Sequence, residues 1–220
     1  MEMKKLADFI RAGNLDTLAL ELINNPSLAV QKTEQGISLL QLAVYCRSEK
    51  VIEYLRPFYT ELNVFEAASL GELPTVELKI KKDSRLLNTF APDGFTALGL
   101  ACFFDQYEVA DFLLREGADP NIASNNSFKV APIHSSCAIS SLALTGLLLR
   151  YGANVNARQT LEVSPLHEAA HLGKNDLTQL LINNGADVNA RTEAGQTPLT
   201  MALEKNFVET ANLLRRYGAI

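Results

Sequence analysis

The chain reads as an all-α solenoid of stacked helix–turn–helix units, and three observations predict it. The first is self-similarity at a fixed spacing: Pro165 recurs as Pro198 and Gly185 as Gly218, a period of 33 residues. A period of that size marks a repeat architecture rather than one globular core. The second is the grammar of the clearest copy, Thr160–Arg191. Ser164 is an N-cap hydroxyl, and Pro165 takes the first helical position, where a missing N–H costs nothing. A short apolar helix through Ala169 and Ala170 stops at Gly173; a second helix, Asp176–Asn183, carries Leu177, Leu180, Leu181 and Ile182 at helical spacing and ends at Gly185. The third is composition: 47% of the 220 residues are hydrophobic, enough for a continuous core and too many for a disordered chain.

The run Pro165-Leu166-His167-Glu168-Ala169-Ala170, a glycine three residues on, and the turn Gly185-Ala186-Asp187-Val188-Asn189-Ala190 together resemble the ankyrin repeat. The resemblance implies a solenoid of about seven helix–turn–helix repeats with short β-hairpin loops, forming one domain over residues 1–220 and acting as a protein-binding module. It is strong over Asp93–Ala219 and weaker before.

The copies follow in order. The first, residues 1–32, is degenerate: Leu6–Gly13 matches Leu166–Gly173 with Phe9 and Ile10 in place of the alanines, Leu15–Asn25 is the second helix, and Pro26 ends it. The second, 33–59, centres on Ala43, and Pro57 cuts its second helix short. Ala43 and Ala67 lie only 24 residues apart, so a hairpin is missing and the stack is expected to be irregular, and weakest, at Arg56–Leu62. The third copy spans 60–90 and the fourth 91–125. In the fifth, 126–158, the step from Gly117 to Gly152 is 35 residues, which puts two extra residues near Ser124–Lys129. The sixth is 159–191 and the seventh 192–220. A unit of this kind cannot bury its apolar face alone; its neighbours complete the core. Gly13, Gly71 and Gly173 close the first helix of their copies, and Asp105 and Asn206 stand in the same place, both types that tolerate left-handed backbone. Asn121, Asn156 and Asn189 recur after Asp119, Asn154 and Asp187, which suggests amides hydrogen-bonded within the loops.

Composition removes several functions. A net charge of −5 opposes nucleic acid, which needs a basic stripe. No apolar run has the length of a membrane span, and Asp8 and Arg11 break any signal-peptide core. Cys46, Cys102 and Cys137 are expected as small core residues of a reduced, cytoplasmic protein. The expected state is a monomer without cofactor or metal. Because Ile220 follows Gly218-Ala219 directly, a regulatory or spacer fragment of a larger protein is the rival reading. The polar residues Glu204, Lys205, Glu209, Asn212 and Arg216 on the last helix favour a natural end instead.

Two constellations imitate catalytic sites. His167-Glu168-Ala169-Ala170-His171 spells H-E-x-x-H, the zinc-hydrolase signature. Yet His167 and the alanines belong to the repeat, and nothing supplies a third ligand. His134-Ser135-Ser136-Cys137 gathers nucleophiles beside a histidine, but Ser136 and Cys137 replace the buried alanine pair and should face the stack. What the repeat leaves unexplained is apolar: Phe95, Phe103 and Phe104 in the fourth copy, Phe128, Val130 and Ile139 in the fifth, and Leu161, Val163, His171 and Leu172 in the sixth. They fall at the hairpin tips and first-helix ends that line the concave groove in the family. A contiguous apolar stripe there is the expected contact with a partner protein or peptide.

Overall fold

A computed structural model describes residues 2–220. Among them are fourteen α-helices: α1 (Glu2–Arg11), α2 (Leu15–Asn24), α3 (Leu39–Tyr45), α4 (Glu49–Leu55), α5 (Val64–Leu70), α6 (Leu73–Lys82), α7 (Ala97–Phe103), α8 (Tyr107–Arg115), α9 (Pro132–Ala138), α10 (Leu142–Arg150), α11 (Pro165–His171), α12 (Asn175–Asn183), α13 (Pro198–Glu204) and α14 (Val208–Arg216). Each odd-numbered helix packs on the even one that follows. The odd helices stack in an unbroken inner row from α1 to α13, and the even ones form an outer row that is continuous from α6 to α14.

Local chemistry sets the inner helices. Ser38, Asn63, Thr96 and Thr197 accept hydrogen bonds from the amide three residues on, and Pro132, Pro165 and Pro198 open their helices. The small pairs Ala67-Ala68, Ala169-Ala170 and their counterparts Ser136-Cys137 are fully buried between neighbours, which lets the inner row pack closely. On α12, Leu177 and Leu181 are buried, whereas Leu180, expected in the core, is half-buried like Ile182. The buried pair is four apart, one helical turn, and turns Leu180 to the flank.

After each inner helix the chain takes one left-handed residue. Gly13, Gly71, Asp105, Gly173 and Asn206 do so as expected, and Arg47 (φ 51°) and Ser140 (φ 59°) complete the series. Those two residue types carry no such signal, because neither eases the left-handed region. Cys102 and Cys137 are buried, while Cys46, at the end of α3, is only half-buried, so the expectation that all three are core residues fails there.

The loops are turns, not stranded hairpins: isolated antiparallel bridges join Lys32 to Ser38, Phe90 to Thr96 and Gln159 to Val163. We call the projecting turns before α3, α7, α9, α11 and α13 fingers. Before α5 there is none: a 3-10 turn at Arg56–Phe58 leads to Asn63, the cap of α5. Tyr59 spans this gap, its hydroxyl donating to the Ala29 carbonyl at 2.8 Å and accepting from Leu40 N at 3.3 Å. The Arg56 guanidinium meets both Glu72 oxygens, at 2.7 and 3.1 Å.

The recurring asparagines link copies, contrary to the expectation that they bond within their own loops. Asn121 Oδ1 accepts from Asn154 N at 2.7 Å while its Nδ2 donates to the Gly152 carbonyl. Asn156 and Asn189 repeat both bonds one copy on. The bonds inside each loop are made by Asp119, Asn154 and Asp187 instead. The fingers are joined as well, Asn125 N to the Gly94 carbonyl, Thr160 N to Phe128 and Glu193 N to Leu161.

Candidate partner-binding surface

The apolar residues singled out in the sequence fall into three groups. Phe103 and Phe104 pack on Tyr45 of α3, Phe95 packs on Phe103 with ring centroids 6.2 Å apart, and all four rings are half-buried. Ring centroids lie 6.1 Å apart for Tyr45–Phe103, 5.4 Å for Tyr45–Phe104 and 5.0 Å for Phe103–Phe104, tilted and edge-on contacts that aromatic quadrupoles favour. The Tyr45 hydroxyl donates to Asp93 Oδ2 at 2.7 Å. Burial and that carboxylate push the phenol well above its ordinary pKa. The cluster thus fastens the finger before α7 to α3, reaching past the missing finger, and leaves each ring partly exposed.

Phe128 and Leu161 form the second group, on adjacent finger tips. They are 65% and 58% exposed, and Thr160 ties the tips by donating from N to the Phe128 carbonyl and from Oγ1 to Ser127. Leu161 and Glu162 sit at φ 66° and 59°. A bulky apolar residue resists that region, so the fold holds an exposed leucine in a strained turn, secured by Arg158 Nη1 donating to the Glu162 carbonyl at 2.8 Å. Strain of this sort collects at functional positions. Val130 is half-buried at the base of the same finger, where its amide donates to Ser124 Oγ at 2.8 Å.

The third group is a shallow depression of about 280 Å³ on the inner helices. Val163, His171 and Leu172 line it together with Ala138 and Met201, two residues missed in the sequence because each looks ordinary alone. Ile139 caps the C-terminus of α9 next to Ala138, half-buried, and does not line the depression.

Glu168 lies in its floor with Oε1 accepting from Gln159 Nε2 at 2.8 Å and Oε2 without a partner. Burial raises this carboxyl to about 8. His167 cannot serve a metal there. Its Nδ1 accepts from Ser164 N at 3.2 Å, so its Nε2 carries the proton and donates to the Gln196 carbonyl at 3.1 Å. No lone pair is left for zinc, and the imidazole is fully buried while His171 is exposed.

His134 repeats the Nε2 bond, to Val163 at 3.2 Å, but Ala131 stands where Ser164 would, and its Nδ1 has no partner. Burial lowers its pKa to about 4. Ser136 Oγ is held by the Ile133 carbonyl and the Thr145 hydroxyl, and burial raises the Cys137 thiol far above its usual range. The nucleophile-like cluster is core packing.

Comparison with known proteins agrees with this architecture. A family model described as "Ankyrin repeats (3 copies)" matches residues 133–220, and one described as "Ankyrin repeat" matches 93–125. Similar proteins include the probable 26S proteasome regulatory subunit p28 of Saccharomyces cerevisiae, 28% identical over 147 residues, 60% of this chain and 62% of that protein. The human DNA-binding protein RFXANK is 29% identical over 121 residues, 50% of this chain and 46% of its own length. The chain therefore spans between about half and three-fifths of the length of these relatives.

Proposed function

Because this chain belongs to the ankyrin-repeat family, its two family models together covering more than half of it, we propose that it is a non-catalytic module binding a partner protein's segment along its finger tips and inner helices. The observation that carries the reading is the pair Phe128 and Leu161, largely exposed on adjacent, hydrogen-bonded fingers with Leu161 held in left-handed backbone. Exposed apolar groups on a rigid frame bind without losing much side-chain entropy. The depression at Val163, Leu172 and Met201 would receive an apolar anchor, and the half-buried Phe95, Phe103 and Phe104 would extend the contact. Val130, Ile139 and His171 complete the surface.

We take the chain as one domain of seven units and as a monomer. We place it in the cytoplasm, since Cys46, Cys102 and Cys137 are all free thiols. Among the described residues no helix is long and apolar enough to cross a membrane. A protein partner is preferred to DNA, despite RFXANK's name, because the net charge of −5 repels phosphate.

A displayed peptide library selected on the intact protein tests the reading. Sequences enriched on the wild type should be lost on a Phe128→Glu/Leu161→Glu variant whose melting temperature is unchanged, since both side chains stand in solvent. Enrichment that survives both substitutions would move the binding face elsewhere.

A further inference from the structure

The missing finger leaves a cavity behind it. With no projecting turn before α5, the fingers before α3 and α7 close over the gap, and a Cβ on Gly36 would come 3.1 Å from Pro92 Cβ. Beneath them lies a space of about 250 Å³. Its walls are apolar, formed by Ile37, Phe65, Ala91 and Pro92. Its polar lining is rich in acceptors: the side chains of Gln41 and Glu66, only 6% and 5% exposed, and the carboxylate of Asp93.

Gln41 identifies what is lacking. Ser69 Oγ donates to the Phe65 carbonyl at 2.9 Å, so it must accept from Gln41 Nε2, also at 2.9 Å. That fixes the amide's orientation and leaves Gln41 Oε1 buried without a hydrogen-bond partner, a state that costs free energy until a donor arrives. The nearby cation Arg56 is committed to Glu72. Among the described residues neither Glu66 nor Asp93 closes an ion pair. An alkyl stem against apolar walls, ending in a compact cation with three N–H donors, matches this lining.

We propose that the cavity between the α3 and α7 fingers is a recognition site for a lysine side chain of a partner protein. It goes beyond the finger-tip surface proposed above and shares none of its residues. Lys32 of this chain stands exposed on the rim and would compete weakly.

The test is NMR titration of the isotope-labelled protein with Nα-acetyl-lysine N-methylamide, with the norleucine analogue as the uncharged control. The lysine compound should shift the Gln41 side-chain amide and the backbone amides of Phe65 and Ser69, and bind at least about tenfold more tightly than the control, the effect of one charge-assisted hydrogen bond. Glu66→Gln keeps the cap of α5 and should weaken lysine binding about tenfold. Gln41→Met should do the same, and Lys32→Gln should strengthen it. Phe128→Glu/Leu161→Glu should leave the titration unchanged, so this site can fail while the finger-tip surface stands, and the reverse. Equal binding of the two compounds, shifts confined to other residues, or no shift at saturating lysine compound in a folded Glu66→Gln and wild-type pair would overturn the proposal.

Discussion

Ser140 and Arg47 occupy left-handed backbone where other copies use glycine, aspartate or asparagine. Replacing Ser140 with Gly should stabilise the protein by about 1 kcal/mol, read as a higher urea midpoint with unchanged slope. Gly173→Ala should do the reverse more strongly, because its backbone is at φ +64° and a Cβ would lie 2.6 Å from the Phe207 ring. Titration gives a second test at this scale. Glu168 has a folded pKa near 8 against an ordinary 4.5. The folded chain therefore holds a proton that the unfolded chain releases, and stability falls as pH rises from 4.5 toward 8. His134 acts oppositely: with a folded pKa near 4 against 6.5, it removes stability as pH falls through that window, and His167 is shifted the same way. Above about pH 7.5 both histidines are neutral in either state, so only the Glu168 slope remains there. Between pH 6.5 and 8 wild type should lose on the order of 1 kcal/mol relative to Glu168→Gln, in which the histidine contribution is the same and cancels. Equal slopes would mean the carboxyl is ionised in the fold. Sequence showed His167 to be a repeat residue. It did not show that Ser164 and Gln196 take both ring nitrogens, since that depends on a loop from the following copy.

Single elements obey the repeat where it is regular and reveal most where it breaks. Leu181, fully buried on α12, should cost about 2–5 kcal/mol when cut to Ala, whereas half-buried Leu180 should cost about 1 kcal/mol, measured by thermal or urea unfolding. Equal losses would mean that α12 is rotated from its placement here. The helix pairs, the proline starts and the missing finger could be read from spacing, because each follows from local backbone chemistry. The Tyr45–phenylalanine cluster could not: it joins α3 to α7 across an intervening pair, and its partners are 58 and 59 residues apart in the chain. The same holds for the depression at Met201, assembled from three neighbouring copies. Candidate-site residues were recognisable as departures from the repeat's structural needs, but their burial was not, so Phe104 and Phe128 looked alike in sequence although the first is packed and the second is 65% exposed.

For the whole molecule, stability is a sum over neighbouring copies, and the links between copies are unevenly distributed. Bonds between fingers and the asparagine bridges run from Asn88 to Ile220, whereas the first copies are joined by individual side chains such as Tyr59, Arg56, Gln41 and Tyr45. Native-state hydrogen exchange should therefore show α1–α4 opening at lower free energy than α7–α14; uniform protection would contradict this. The same rigidity should make the fingers before α9 and α11 a preformed platform for a partner. The most direct test is the exchange footprint of a peptide selected on the intact protein. Binding is predicted to protect amides at Ser124–Val130 and Gln159–Val163 and through α11, with no change on α8, α10 or α12. Protection confined to those outer helices would place the partner on the opposite face and contradict the account.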